Sequence, residues 1–275
     1  MTDARLETET AIDPDERRRV WTTAGRGWGA RATEWAYLFE PYARPANDLL
    51  LDRLDVSEST RFLDVACGSG LAANVAARRG ASVSGLDASD ALIDLARLRT
   101  PEADFRVGDM YDLPFDDACF DAVTSFNGIW NGCDAALAEV RRVLTRNGQF
   151  GMTYWGSFDR MGLLPYFATI IELSPPSHQS ATMQLGETGA AAADMLERSH
   201  FEIQAQGTID VTNEWPDVNT AVRALAAAGP AVPAIEAIGY DAFCDALRDI
   251  IAPLNDPHAG VRITSELGWV TAQPA

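Results

Sequence analysis

The chain has 275 residues and no lysine; all 22 of its basic residues are arginine. That absence excludes Schiff-base chemistry, anchoring of pyridoxal phosphate and the Walker A phosphate lysine. Lysine-dependent methyl transfer to ribose hydroxyls is excluded with them. Arginine does not substitute as a base, because it stays protonated far above neutrality. Metal-ligand spacings are also missing. Cys67, Cys119, Cys133 and Cys244 form no CxxC pair, and His178, His200 and His258 follow neither HxxxH nor HExxH, so no metal is expected. So few cysteines in a chain of this length suggest reduced thiols. The N-terminal stretch has no apolar core of the signal-peptide kind. No apolar run of membrane-spanning length occurs, the nearest, Ala221 to Ile238, being broken by Arg223, Glu236 and two prolines. A soluble, cytoplasmic protein is expected. With 40 acidic residues and a net charge of −18, neither nucleic acid nor an anionic membrane is an expected partner.

The apolar fraction, 47%, is enough for a sizeable core. The length suits one large α/β domain or two small ones. Val20 to Leu54 is rich in aromatic residues, with helical spacing over Arg31–Phe39 and Ala46–Leu54, interrupted by Pro41 and Pro45. An alternation of strands and helices then begins. Strands are predicted at Arg61–Cys67, Ser82–Asp87, Asp104–Asp109, Phe120–Ser125 and Gln149–Trp155. Helices are predicted at Leu71–Arg79, at Asp90–Leu98 with Ser89 as its cap, and from Asp134 to about Leu144, ended by Asn147-Gly148. This rhythm predicts a parallel sheet covered by helices on both faces. Beyond Trp155 it breaks into an apolar stretch, a Ser/Pro loop and a helix around Gly189–Arg198. A strand at Phe201–Val211, helices over Asp217–Ala228 and Ile235–Ile251, and a strand at Arg262–Ala272 follow.

The informative block is LDVACGSG, then GLDAS, then VGDM. In doubly wound sheets, ligands bind at the carboxyl ends of the strands where strand order reverses. Gly68 and Gly70 let the turn after the first strand approach a ligand closely. Asp87 ends the second strand, where its carboxylate can accept both hydroxyls of a ribose. Asp109 ends the third, where it can accept an adenine amine, and Met110 can pack on the ring. Gly68-x-Gly70-x-x-Ala73 also satisfies the loose dinucleotide pattern. Asp64 argues against that reading, because a carboxylate beside this turn repels a pyrophosphate. S-adenosylmethionine carries a sulfonium and an ammonium and no phosphate, so it fits the acidic set better than a nicotinamide dinucleotide.

With these motifs, and with ALAEVRRVLTRNGQFGMTYWG after them, the chain resembles the class I S-adenosylmethionine-dependent methyltransferases, nearest to the small-molecule branch that includes ubiquinone and menaquinone biosynthesis. The likeness is strong over about residues 55–156. It implies a Rossmann-like, doubly wound seven-stranded sheet, mostly parallel, with an antiparallel last strand and helical cap segments. The expected organisation is a helical lid at 1–54, the cofactor-binding core at 55–156, an insertion at 157–200, and final strands with a helical cap at 201–275, all in one domain.

The resemblance implies that Asp64, Gly68 and Gly70 line the methionine end, Asp87 the ribose, and Asp109 and Met110 the adenine. Phe126 and Asn127 would face the methyl group and the acceptor. Ala66, Ser69, Ala88 and Trp28 complete the candidate cofactor-binding set, with S-adenosyl-L-methionine as the cofactor. The expected function is methyl transfer by in-line displacement to oxygen or carbon of a small molecule, apolar or aromatic if Phe158, Met161, Leu163, Leu164, Tyr166, Phe167 and Ile170 wall a pocket. After the fourth strand the chain reads SFNGIWN, without the Asn/Asp-Pro-Pro-Tyr of enzymes that methylate planar amino nitrogens. No catalytic base is named: His178, His200 and His258 read mainly as structural or solvated, and Tyr37, Tyr154 and Tyr166 as core or rim. The competing readings are a non-catalytic S-adenosylmethionine-binding scaffold or regulator and an NAD(P)-dependent oxidoreductase. A monomer or homodimer is expected.

Overall fold

The structure is a computed structural model that describes residues 14–130, 132–176 and 189–275. The strands are β1 Arg61–Val65, β2 Ser82–Asp87, β3 Asp104–Val107, β4 Phe120–Phe126, β5 Leu144–Trp155, β6 Phe201–Trp215, β7 Asn255–Asp256 and β8 Gly260–Pro274. They form one sheet in the order β3-β2-β1-β4-β5-β8-β6, and the two-residue β7 pairs with β8. β1 to β5 pair in parallel, whereas β8 runs antiparallel to both β5 and β6. The doubly wound sheet with one reversed strand is therefore as the sequence implies, with β7 as a small addition.

The longer α-helices are α1 Pro14–Gly29, α2 Arg44–Arg53, α3 Leu71–Arg78, α4 Asp90–Arg99, α5 Asp134–Val143, α6 Leu164–Leu173, α7 Gly189–Arg198, α8 Val218–Leu225, α9 Val232–Ile238 and α10 Tyr240–Ile251, and short helical turns at Ala32–Glu34, Trp35–Phe39 and Glu40–Ala43 join α1 to α2. β1 reads RFLDV, and four of its five residues are buried, as a strand covered on both faces requires. Phe62 packs with Leu51, Ala73, Ala76, Ile93 and Ala96 of α2, α3 and α4. Leu63 and Val65 point the other way, toward Leu137 and Val140 of α5 and Met195 of α7. Ser89 caps α4 by accepting from the Leu92 N–H at 3.3 Å, and Asp217 caps α8 through Thr220 N–H at 2.8 Å.

Three sequence readings shift. Asn147-Gly148 does not end a helix: β5 already begins at Leu144, and the pair lies within it, beside a register shift opposite Phe120 and Ala122. β6 continues four residues past Val211, because Thr212–Trp215 also pair with β8. The helical span predicted at Ile235–Ile251 is two helices broken at Gly239, whose φ is 87°.

The cap lies over the carboxyl end of the sheet. Trp215, α6, α8 and α10 share a cluster with Phe39, and Trp28 and Trp35 pack against it. Met161, Leu163, Tyr166, Phe167 and Ile170 are buried inside that cluster. They are cap core, not an open pocket wall; Phe158 and Leu164 are exposed. Among the described residues no single helix is long and apolar enough to cross a membrane. α1 docks through Gly25 onto the loop after β2: a Cβ there would stand 2.0 Å from the Ala88 carbonyl oxygen.

Candidate functional site

The sheet reverses its winding between β1 and β4, so the crevice at their carboxyl ends is where a ligand belongs. The turn from β1 into α3 stands there, with three residues in the left-handed region: Ala66 at φ 58°, Gly68 at 55° and Gly70 at 76°. An alanine in that region is strained, and such strain concentrates at functional sites. A Cβ on Gly68 would meet the Trp35 ring at 2.8 Å and Glu40 Oε1 at 3.2 Å. Gly70 has a different constraint, since its Cβ would strike Ala96 of α4 at 2.9 Å. It therefore also serves the packing of α3 against α4.

Asp87 ties the turn to β2. Its Oδ2 accepts from the Gly68 N–H at 2.8 Å and its Oδ1 from the Ser89 N–H at 2.9 Å. Asp64 is buried at the end of β1 and accepts from Thr124 Oγ1 at 2.8 Å. Burial pushes its pKa up to about 8, against the hydrogen bond from Thr124, and the nearby Glu40 and Asp87 raise it further. Burial also raises Asp87, opposed by the backbone donors at Ser89, Gly68 and Ala88.

Glu40 is the functional candidate that the sequence reading missed. It is buried, and its Oε2 accepts from Ser69 Oγ at 2.5 Å and from Arg99 Nη1 at 2.8 Å. Its Oε1 accepts from the Ser69 N–H at 3.3 Å. Ser69 itself is fully buried. Burial raises the Glu40 carboxyl, while Arg99 and Ser69 oppose the shift. The signal in the sequence was an acidic residue inside an aromatic run, WAYLFEPY.

The other expected residues are placed as follows. Asp109 is half-buried after β3 and accepts from the Tyr111 N–H at 3.0 Å. Met110 packs against the core that includes α5. Phe126 closes β4 opposite Thr153. Trp28 stands against Gly229 and meets Trp35 edge to face at 5.7 Å, one ring removed from the turn. Tyr37 is 63% exposed and does not join the aromatic cover.

Beyond Phe126, Asn127 has a left-handed backbone at φ 54°. Its N–H points at the Thr153 carbonyl and hydroxyl oxygens, at 3.2 and 3.1 Å. Its Nδ2 donates to the Tyr42 hydroxyl at 3.1 Å. Tyr42 stacks on Trp155 at 5.8 Å. Burial lifts the Tyr42 phenol well above its ordinary pKa, so it is a neutral hydrogen-bonding group and no base. Tyr166 is likewise raised by burial, and its hydroxyl donates to the Leu225 carbonyl at 2.9 Å. His200 sits at the α7–β6 corner with φ 62°, His258 in an exposed turn on Asp256; His178 lies outside the described residues. Two surface recesses of about 360 and 430 Å³ lie elsewhere, one beside Tyr154 and one between α8 and α10. The glycine turn itself is covered by Trp35 and Glu40.

Residues 63–152 match the family model described as a methyltransferase domain. The demethylmenaquinone methyltransferase of Thermotoga maritima is 39% identical over 93 residues, covering 32% of this chain and 41% of the relative. That of Renibacterium salmoninarum is 38% identical over 103 residues, covering 37% and 44%. The chain thus spans less than half the length of these two relatives. An uncharacterized protein of Mycobacterium tuberculosis is 30% identical over 155 residues, covering 52% and 57%. Among solved structures, a Bacillus halodurans C-125 protein described as a methyltransferase superposes with a TM-score of 0.58 at 17% identity, covering 84% of this chain and 100% of that one. The [4+2]-cyclase SpnF gives 0.56 at 20%, covering 84% and 81%. These likenesses establish the fold, and a fold shared with a cyclase does not by itself set the chemistry. Residues 63–152 are thus similar to a methyltransferase domain, and the chain shares its fold with the Bacillus halodurans C-125 protein.

Proposed function

We propose that the chain is an S-adenosylmethionine-dependent methyltransferase that acts on a small molecule at oxygen or carbon. One observation carries the reading. Asp64 and Asp87 are buried beside the glycine turn, and among the described residues neither is in an ion pair. A buried carboxylate without a cation is costly, and a cationic ligand offsets that cost. A pyrophosphate would worsen it. S-adenosylmethionine fits the donor set: Asp64 and the Gly68–Gly70 turn for the amino-acid end, Asp87 for the ribose, Asp109 and Met110 for the adenine, with Ala66, Ser69, Ala88, Phe126 and Trp28 around them. When bound, it supplies a methyl group on a sulfonium.

The chain's own contribution is orientation and exclusion of water. Aligned reactants can gain about 7–11 kcal/mol from positioning alone. Trp35 covers the turn, and Trp28 backs it edge to face. Asn127, held by Thr153, and Tyr42 stand at the carboxyl ends of β4 and β5, where an acceptor would approach. Neither serves as a base, which suits a nucleophile that is already acidic or electron-rich. Trp130 and Phe158 are exposed on the loops after β4 and β5, which supports an apolar or aromatic acceptor.

Calorimetric titration with S-adenosylmethionine, S-adenosylhomocysteine and NADH tests the cofactor. Saturable binding of the first two and none of NADH is expected; binding of NADH alone overturns the proposal. A mass increase of one methyl group on a screened acceptor then separates an enzyme from a binding scaffold.

A further inference from the structure

The matched domain begins at residue 63, yet a carboxylate at its glycine turn comes from residue 40. We propose that Glu40 is a cofactor-binding residue whose Oε1 receives the α-ammonium of S-adenosylmethionine, so that the N-terminal segment completes a site residues 63–152 leave open. This rests on the cofactor reading above.

Three observations support it. The first is acceptor capacity. Glu40 Oε2 is taken by Ser69 Oγ and Arg99, but among the described residues Oε1 holds only the 3.3 Å contact from the Ser69 N–H. A carboxylate offers about four acceptor positions, so Oε1 has room for a further donor. The second is position. Oε1 lies 3.2 Å from the point a Cβ on Gly68 would occupy, directly on the turn that the ligand must touch. The third is charge. Glu40, Asp64 and Asp87 meet at this turn, and among the described residues Arg99 is ion-paired with Glu40 alone. A ligand bringing an ammonium and a sulfonium supplies the missing positive charge.

Glu40 also has a plainly structural use, since its bond to Ser69 pins the N-terminal segment to the turn. The test must therefore separate recognition from pinning. Three ligands do so: S-adenosylmethionine, S-adenosylhomocysteine, and 5′-methylthioadenosine, which keeps the adenosine but lacks the amino-acid end. Glu40→Gln is nearly isosteric and retains an acceptor for Ser69. The expected result is at least about tenfold weaker binding of the first two ligands, the order set by a lost charge-assisted hydrogen bond, with methylthioadenosine unchanged within about twofold. Equal weakening of all three, or no weakening, overturns the proposal. Tighter S-adenosylmethionine binding overturns it too, and would make Glu40 a plug seated where the cofactor's own carboxylate belongs.

Arg99→Gln provides a second route that leaves Glu40 in place. With its competing cation removed, Glu40 should favour the ligand ammonium, so the affinity ratio of S-adenosylhomocysteine to methylthioadenosine should rise. A fall in that ratio overturns the proposal. If the unaltered protein binds none of the three ligands, the cofactor reading fails first and this inference with it.

Discussion

The carboxylate of Asp87 accepts the Gly68 N–H at 2.8 Å, joining the end of β2 to the turn that follows β1. Its second oxygen accepts the Ser89 N–H at 2.9 Å. One side chain thus shapes two loops at the crevice. Asp87→Ala should remove both bonds and leave two buried N–H groups unsatisfied, at roughly 1–3 kcal/mol each. A lower urea midpoint is expected, together with weaker binding of S-adenosylmethionine, S-adenosylhomocysteine and methylthioadenosine alike. Unchanged methylthioadenosine affinity would remove Asp87 from the ribose end.

Gly68→Ala places a methyl group 2.8 Å from the Trp35 ring and imposes a left-handed alanine. The backbone alone costs about 1–2 kcal/mol. Trp35 must move, so the intrinsic tryptophan emission should shift and cofactor affinity should fall. Retention of both would mean that the turn is not the cofactor cradle.

Asn127 distinguishes backbone from side-chain roles after β4. Asn127→Gly relieves the φ of 54° but loses the bond to Tyr42. Asn127→Ala loses the bond and keeps the strain. Chemical denaturation should rank the glycine variant as more stable than the alanine variant. Once an acceptor is known, both should lose turnover while S-adenosylhomocysteine binding persists.

Asp64 predicts a pH dependence. Burial raises it to about 8 in the folded chain, against roughly 3.9 when unfolded. The folded state therefore holds the proton more tightly. The stabilisation from Asp64 is complete below about pH 4 and is lost as pH rises through about 8. Without ligand, the urea midpoint should fall between pH 5 and 8, and Asp64→Asn should flatten that slope. A cationic ligand favours the ionised form, so its binding at pH 7 should release protons, read as a difference in heat between buffers of unlike ionisation enthalpy. A flat midpoint and no proton release would place Asp64 outside the charge cluster.

Much of the architecture was legible because its signals are local. β2 and α7 have the bounds read from their patterns, and the reversed strand contains the Arg262–Ala272 span read as the last strand. Asn147-Gly148 misled because a turn dipeptide can also sit at a strand irregularity. Glu40 and Ser69 are far apart in sequence, and no spacing rule relates them; only the fold brings their atoms together. Gly70 carries a second constraint that the motif does not state, its closeness to Ala96 being a product of helix packing. The apolar residues after β5 resisted assignment because hydrophobicity does not distinguish a pocket wall from a buried cap.

The place of β8 bears on how the chain is made. β5 ends at Trp155, but among the described residues its outer edge finds its partner in Gly260–Pro274, which also pairs with β6. During synthesis the β5 edge stays open while the entire cap emerges from the ribosome. Pairings of such long sequence separation form late, and an open apolar edge invites association with other chains. Truncation before β8 should therefore yield aggregates and not a smaller folded core, and a chaperone that shields strand edges would act in the interval between β5 and β8.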